Sequence, residues 1–133
     1  MASDDPHGVI TLACDGTIDQ LLRRAVTQIE ALGLDVYAVI DHSGDAAEAG
    51  LTIPETKLVL FGHPANLTEV VVAHPHLALE LPFKLLIQEG NDGQVSITYL
   101  SPDDLAHQYA LTDEETDALR VVDAIARQTR TDP

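Results

Sequence analysis

Apolar residues recur at helical intervals between positions 18 and 32: Ile18, Leu21, Leu22, Ala25, Val26, Ile29 and Leu32, with Asp19, Gln20, Arg23, Arg24, Thr27, Gln28 and Glu30 between them. One such stripe predicts an amphipathic helix with a single buried face. Thr17 or Asp15 supplies its N-terminal cap, and Gly33 supplies the left-handed residue that ends it. A period of two governs a later stretch, where Val95, Ile97 and Tyr99 alternate with Ser96 and Thr98. Residues 94–99 therefore read as a strand with one solvated face, joined through Gly90-Asn91-Asp92-Gly93 to a strand at 82–89 as an antiparallel hairpin.

Shorter runs fill the intervals. Residues 7–14, 36–40 and 57–61 read as strands, and 42–50 as a short helical turn closed by Gly50. Asn66 and Glu69 have capping-box spacing ahead of a brief helix at 67–73. Ser101 caps another helix with Pro102 in its first turn, where the missing N–H is harmless. Thr112 and Glu115 repeat the capping-box spacing before a final helix with a Leu119, Val122, Ile125, Ala126 stripe and an Asp123–Arg127 pair on its outer face. The first seven residues and 129–133 are polar and are expected to fray. This order predicts the α+β class: a single mixed, largely antiparallel sheet of about five strands with helices packed mainly on one face. No linker or repeat interrupts it, so 1–133 is read as a single domain.

Charge narrows the partners. Lys and Arg total 7 against 22 Asp and Glu, a formal charge of −15. Such a chain lacks the basic patch that nucleic acid or an anionic membrane surface requires, and neither is expected as a partner. An acidic start without a signal-peptide pattern, and no run of eighteen apolar residues, make cytoplasmic residence the expectation. Cys14 is the only cysteine, so no internal disulfide and no cysteine-based zinc cluster is expected. GxxxxGK, GxGxxG, GxSxG and HExxH are all absent, so the sequence gives no recognisable catalytic set.

Several phrases in the middle of the chain do form a pattern: Ile40-Asp41-His42, residues 47–51, Pro54-Glu55-Thr56-Lys57-Leu58, Leu60-Phe61-Gly62-His63-Pro64, Leu81-Pro82-Phe83-Lys84-Leu85, and Gly93-Gln94-Val95 before Tyr99. In order and spacing this resembles the family called domain of unknown function 302 over about residues 8–111, which leaves 112–128 as an additional C-terminal helix. The resemblance implies a compact α/β domain, a homodimer, mostly bacterial or archaeal, with no established activity. His63 stands where the family usually has Asn, and 66–70 departs from its Gly-Thr-Pro-Leu-Met-like segment.

The candidate ligand-binding residues are Asp41, His42, His63, Lys84 and Tyr99. Asp41 and His42 end a buried strand, where they either project into a cleft or cap the turn that follows. His42 with His63 is the candidate metal pair, while His74-Pro75-His76 reads as solvated loop histidines. Lys84 interrupts an apolar strand and is expected on the solvent side of the pleat. Cys14 reads as a small buried filler beside a helix start. Two functions are expected to compete: a non-catalytic homodimeric module for a small ligand or protein, supported by the apolar run at 77–87, and a histidine-based metal, haem or acid/base site centred on His42. The sequence names no cofactor and does not decide whether a reaction is catalysed.

Overall fold

The computed structural model describes residues 2–5, by backbone alone, and residues 8–63, 65 and 67–131. Its first helix, α1 (Ile18–Ala31), begins where the sequence predicts, with a complete capping box. The Gln20 N–H donates to Thr17 Oγ1 at 3.2 Å, and the Thr17 N–H donates to Gln20 Oε1 at 2.9 Å. Ile18, Leu21, Ala25 and Ile29 are buried. Removing each large aliphatic side chain from water is worth roughly 1.5–3 kcal/mol, so packing rather than propensity holds this helix in place.

That stripe lands on an antiparallel sheet. Strands β1 (Ala2–Asp5), β2 (Val9–Cys14), β3 (Asp35–Asp41), β4 (Thr56–Gly62), β5 (Phe83–Glu89) and β6 (Val95–Leu100) lie in the order β1-β2-β6-β5-β4-β3. Every neighbouring pair is antiparallel. Five of these strands stand where the sequence places them. The sixth, β1, corrects the expectation of a frayed start: Ala2 to Asp5 pair with Leu12 to Val9. An acidic segment of low strand propensity is held there by the ladder that β2 offers.

One face of the sheet is fully covered. Leu12, Val59, Phe61, Leu85, Ile87 and Ile97 are 0 % exposed and form the core with α1 and the C-terminal helices. Alternate positions, among them Thr11, Leu58, Leu60, Leu86, Thr98 and Leu100, are only partly covered and form the open face. Helices on one face of a single antiparallel sheet make this an α+β fold.

The remaining helices are α2 (His42–Glu48), α3 (Thr68–Ala73), α4 (Pro102–Tyr109), α5 (Asp113–Leu119) and α6 (Val121–Thr129), with a 3-10 helix at Pro75–Glu80. Asn66 of the expected capping box lies outside the described residues, and Leu67 takes the N-cap position without a side-chain hydrogen bond. The single final helix expected after Thr112 is two, because the Arg120 N–H bonds to Asp117 O at 3.1 Å and tightens the turn between them. Arg24 Nε then donates to Thr129 O at 2.9 Å, fastening α1 to the end of α6. On the outer surface of α6, Arg127 Nε meets Asp123 Oδ2 at 3.1 Å, the expected i, i+4 pair.

Candidate functional site

A β-bulge opens an apolar cleft beside the core. The register of β3 against β4 shifts between Val36 and Ala38, so Tyr37 is the extra residue, turned out of the ladder. Its ring lies beside Gly62 at the end of β4: a Cβ on Gly62 would sit 3.6 Å from Tyr37 Cε2 and 4.0 Å from Phe83 Cδ2. The missing side chain leaves the space between two rings open. Phe83 lies at the floor, backed by the fully buried Phe61, with ring centroids 5.5 Å apart and planes tilted by 31°. α3 contributes Val71 and Val72 to the wall, and Leu81 and Pro82 close the far side.

The resulting cleft holds about 420 Å³, and among the described residues that line it none is an Asp, Glu, Lys or Arg. Its polar groups are few. His63 accepts the Ala65 N–H on Nδ1 at 3.1 Å, which places the proton of the neutral ring on Nε2 and makes that atom a donor. The Tyr37 hydroxyl can donate and accept. An apolar chamber with a donor and a hydroxyl at its edge suits a small neutral molecule bearing one or two acceptor atoms.

Of the five candidate ligand residues, only His63 lines this cleft. Asp41 caps α2, accepting the Gly44 N–H at 3.0 Å and the Ser43 hydroxyl at 2.7 Å, and these bonds hold its carboxyl below the usual aspartate range. His42, beside it, is exposed. The structure does not bring His42 and His63 together. Asp41 pairs with Lys57 and Asp35 with Gly62, so the two histidines lie at opposite ends of a seven-residue strand pair. At about 3.3 Å per residue, that separation is roughly 20 Å, far beyond a shared metal ion. Among the described residues, no group of three or more His, Cys, Asp or Glu is arranged to hold a metal.

Tyr99 points into the covered face, 2 % exposed, and donates its hydroxyl to Asp123 of α6. Lys84 lies on the open face, as the alternation predicts, yet it is half-buried, and its ammonium donates to Glu80 O at 2.8 Å and Pro82 O at 3.2 Å. Burial pushes its pKa down, against the opposing pull of the Glu80 charge. His74 is not a solvated loop histidine: Nε2 meets Glu115 Oε1 at 3.0 Å, bridging α5 to the end of α3. The Thr112 N–H and this histidine together depress the Glu115 pKa. Cys14 is buried, donates Sγ–H to Leu12 O at 3.2 Å, and is pushed up in pKa by burial, the opposite of an activated thiol.

Sequence reasoning missed most of the cleft. Tyr37 read as one residue of a buried strand and 70–72 as a helix segment, and only a bulge turns the first toward the second. The break at Gly62-His63 was the one legible signal.

Comparison with known proteins fits this fold. A crystal structure of an uncharacterized conserved DUF302 protein from Bacillus stearothermophilus superposes with a TM-score of 0.80 at 16 % identity, covering 92 % of this chain and 98 % of that one. A likeness at that identity speaks for the fold alone. The fluoride-specific ion channel FluC 1 of Brucella suis is 32 % identical over 111 residues, which is 84 % of this chain and 44 % of that protein. FluC 1 of Brucella abortus matches equally, with 41 % of its length covered. The chain thus spans less than half the length of these curated relatives. No helix among the described residues is long and apolar enough to cross a membrane. The family described as domain of unknown function DUF302 matches residues 10–129, a span that takes in α5 and α6 as well as the sheet, and the chain belongs to that family.

Proposed function

We propose that the chain is a non-catalytic, homodimeric domain that binds a small neutral molecule in the cleft between Tyr37, His63 and α3. The observation that carries this reading is the apolar cleft of about 420 Å³, lined among the described residues by no Asp, Glu, Lys or Arg. In a chain of net charge −15, a concave site whose described lining has no Asp, Glu, Lys or Arg favours an uncharged ligand. The exposed Tyr37 ring at the wall favours a flat apolar body, and the His63 Nε2–H favours an acceptor such as a carbonyl oxygen on it. Acetophenone is a suitable probe and benzoate its charged counterpart. Acetophenone is expected to raise the melting temperature by mass action, benzoate to do so far less, and Gly62→Leu, which fills the space between the rings, to abolish the effect. Equal stabilisation of the parent and Gly62→Leu proteins by acetophenone contradicts the site.

The homodimer belongs to the same reading. β3 is an edge strand whose centre, Val36-Tyr37-Ala38-Val39-Ile40, carries no charge, and Tyr37 and Val39 are 49 % and 43 % exposed. An uncovered apolar edge is a template for another strand, and a second copy of β3 is its simplest partner.

A second reading rests on the Brucella relatives, in which a segment similar to this chain belongs to a polypeptide more than twice as long as the segment and named a fluoride-specific ion channel. On that reading the chain works beside a fluoride channel as an attached or associated domain. Stoichiometric co-purification of the fluoride channel of its own organism with the tagged chain is the expected result, and recovery of none contradicts it.

A further inference from the structure

We infer that the open face of the sheet carries a second site, separate from the cleft, in which Lys84 anchors the carboxylate of an amphipathic monoanion while its hydrocarbon tail lies across Leu58, Leu86 and Leu100. The groove there holds about 370 Å³, and Leu79, 82 % exposed, forms its rim. Its floor is set by the sheet register: Leu58 pairs with Leu86, and Leu86 with Thr98, so these side chains share one face. Open-face positions on β2, β4, β5 and β6 bear no Asp or Glu, although the chain holds 22 such residues.

Lys84 is the one ionised side chain on that floor. The chain has only two lysines, Lys57 and Lys84, and they are held in opposite ways. Lys57 Nζ lies 3.6 Å from Asp19 and 3.7 Å from Glu55, so its charge is met by carboxylates. Lys84 Nζ meets two backbone carbonyls and, among the described residues, no carboxylate within 4.0 Å. Glu80 lines the same groove, but its carboxylate accepts the Tyr109 hydroxyl at 2.7 Å. An ammonium has three N–H donors; two are committed to Glu80 O and Pro82 O, which leaves one for a ligand. A half-buried cation with one N–H uncommitted and no carboxylate in contact, drawn on only from a distance by Glu80 and set in an apolar trough, is complementary to a carboxylate on an alkyl chain. The ligand supplies a carboxylate in direct contact, and its tail covers surface that the fold leaves exposed. The cleft beside Tyr37 has no Lys or Arg among its described lining residues, so the two sites differ in ligand chemistry.

The probe is octanoate, with 1-octanol as its neutral counterpart, titrated into isotopically labelled full-length protein and followed by amide chemical shifts. The expected result is saturable binding of octanoate with shifts at Leu86, Thr98 and Leu100, at least tenfold weaker binding of octanol, loss of octanoate binding in Lys84→Met, and its retention in Lys84→Arg. Retention in arginine separates a need for charge from damage to the strand. Absence of saturable binding to the parent protein, equal binding of octanoate to the Lys84→Met and parent proteins, or shifts confined to Val71 and Val72 overturns the inference. Because acetophenone reads the cleft and octanoate the groove, failure of either leaves the other standing.

Discussion

Ala110 shows how single residues set the fold at a cost. It ends α4 in the left-handed region at φ 54, ψ 48, a conformation that disfavours a Cβ. Glycine is the residue that takes it freely, so Ala110→Gly is expected to raise stability by up to about 1 kcal/mol in urea unfolding. Tyr99 argues the other way for a residue that sequence placed among ligand candidates. Its hydroxyl serves the Asp123 carboxylate, so Tyr99→Phe should lower stability by about 1–2 kcal/mol while leaving acetophenone binding unchanged. Asp41 was legible as a cap because the strand end, the turn and Gly44 are consecutive in the chain. The Lys84 contacts were not, since the backbone carbonyls at Glu80 and Pro82 carry no side-chain signature. Acid titration supplies a third test. Asp41 and Glu115 both have depressed pKa values in the folded protein, so each contributes stability that is present above its unfolded pKa and is lost as pH falls through the folded one. Unfolded carboxyls titrate near ~4, so the loss begins on the acid side of about pH 5. The urea midpoint is expected to fall more between pH 5 and pH 3 for the parent protein than for Asp41→Asn/Glu115→Gln. Parallel slopes would show that these carboxylates contribute nothing specific.

At the scale of elements, legibility follows how local the determinants are. α1 announces itself through its stripe and its Thr17/Gln20 box, and the β5–β6 hairpin through alternation and the Gly90-to-Gly93 loop, all within short stretches of chain. β1 has no local signal, because its pairing partner and not its composition makes it a strand. The bulge at Tyr37 is equally silent in sequence, and it opens the cleft. β3 is an edge strand whose centre carries no charge to discourage further pairing. If the proposed homodimer pairs β3 with β3, the parent protein is a dimer at micromolar concentration in light scattering, and Val39→Lys should convert it to a monomer without loss of helical or sheet signal. A dimer that survives the substitution places the interface elsewhere, with the open face the next surface to test.

Across the whole molecule, the fold divides its labour between two faces. The covered face spends its apolar side chains on stability, through Leu12, Leu85, Ile87 and Ile97. The open face and the bulged corner keep apolar surface in reach of solvent, where it is available for binding. The central claim is that the corner between Tyr37, His63 and α3 is a ligand site. Its most direct test is amide chemical-shift mapping of the full chain titrated with acetophenone. Saturable shifts clustered at Gly62, His63, Val71 and Val72, absent in Gly62→Leu, are the predicted result. Shifts that fail to saturate, or that fall away from those residues, would contradict it.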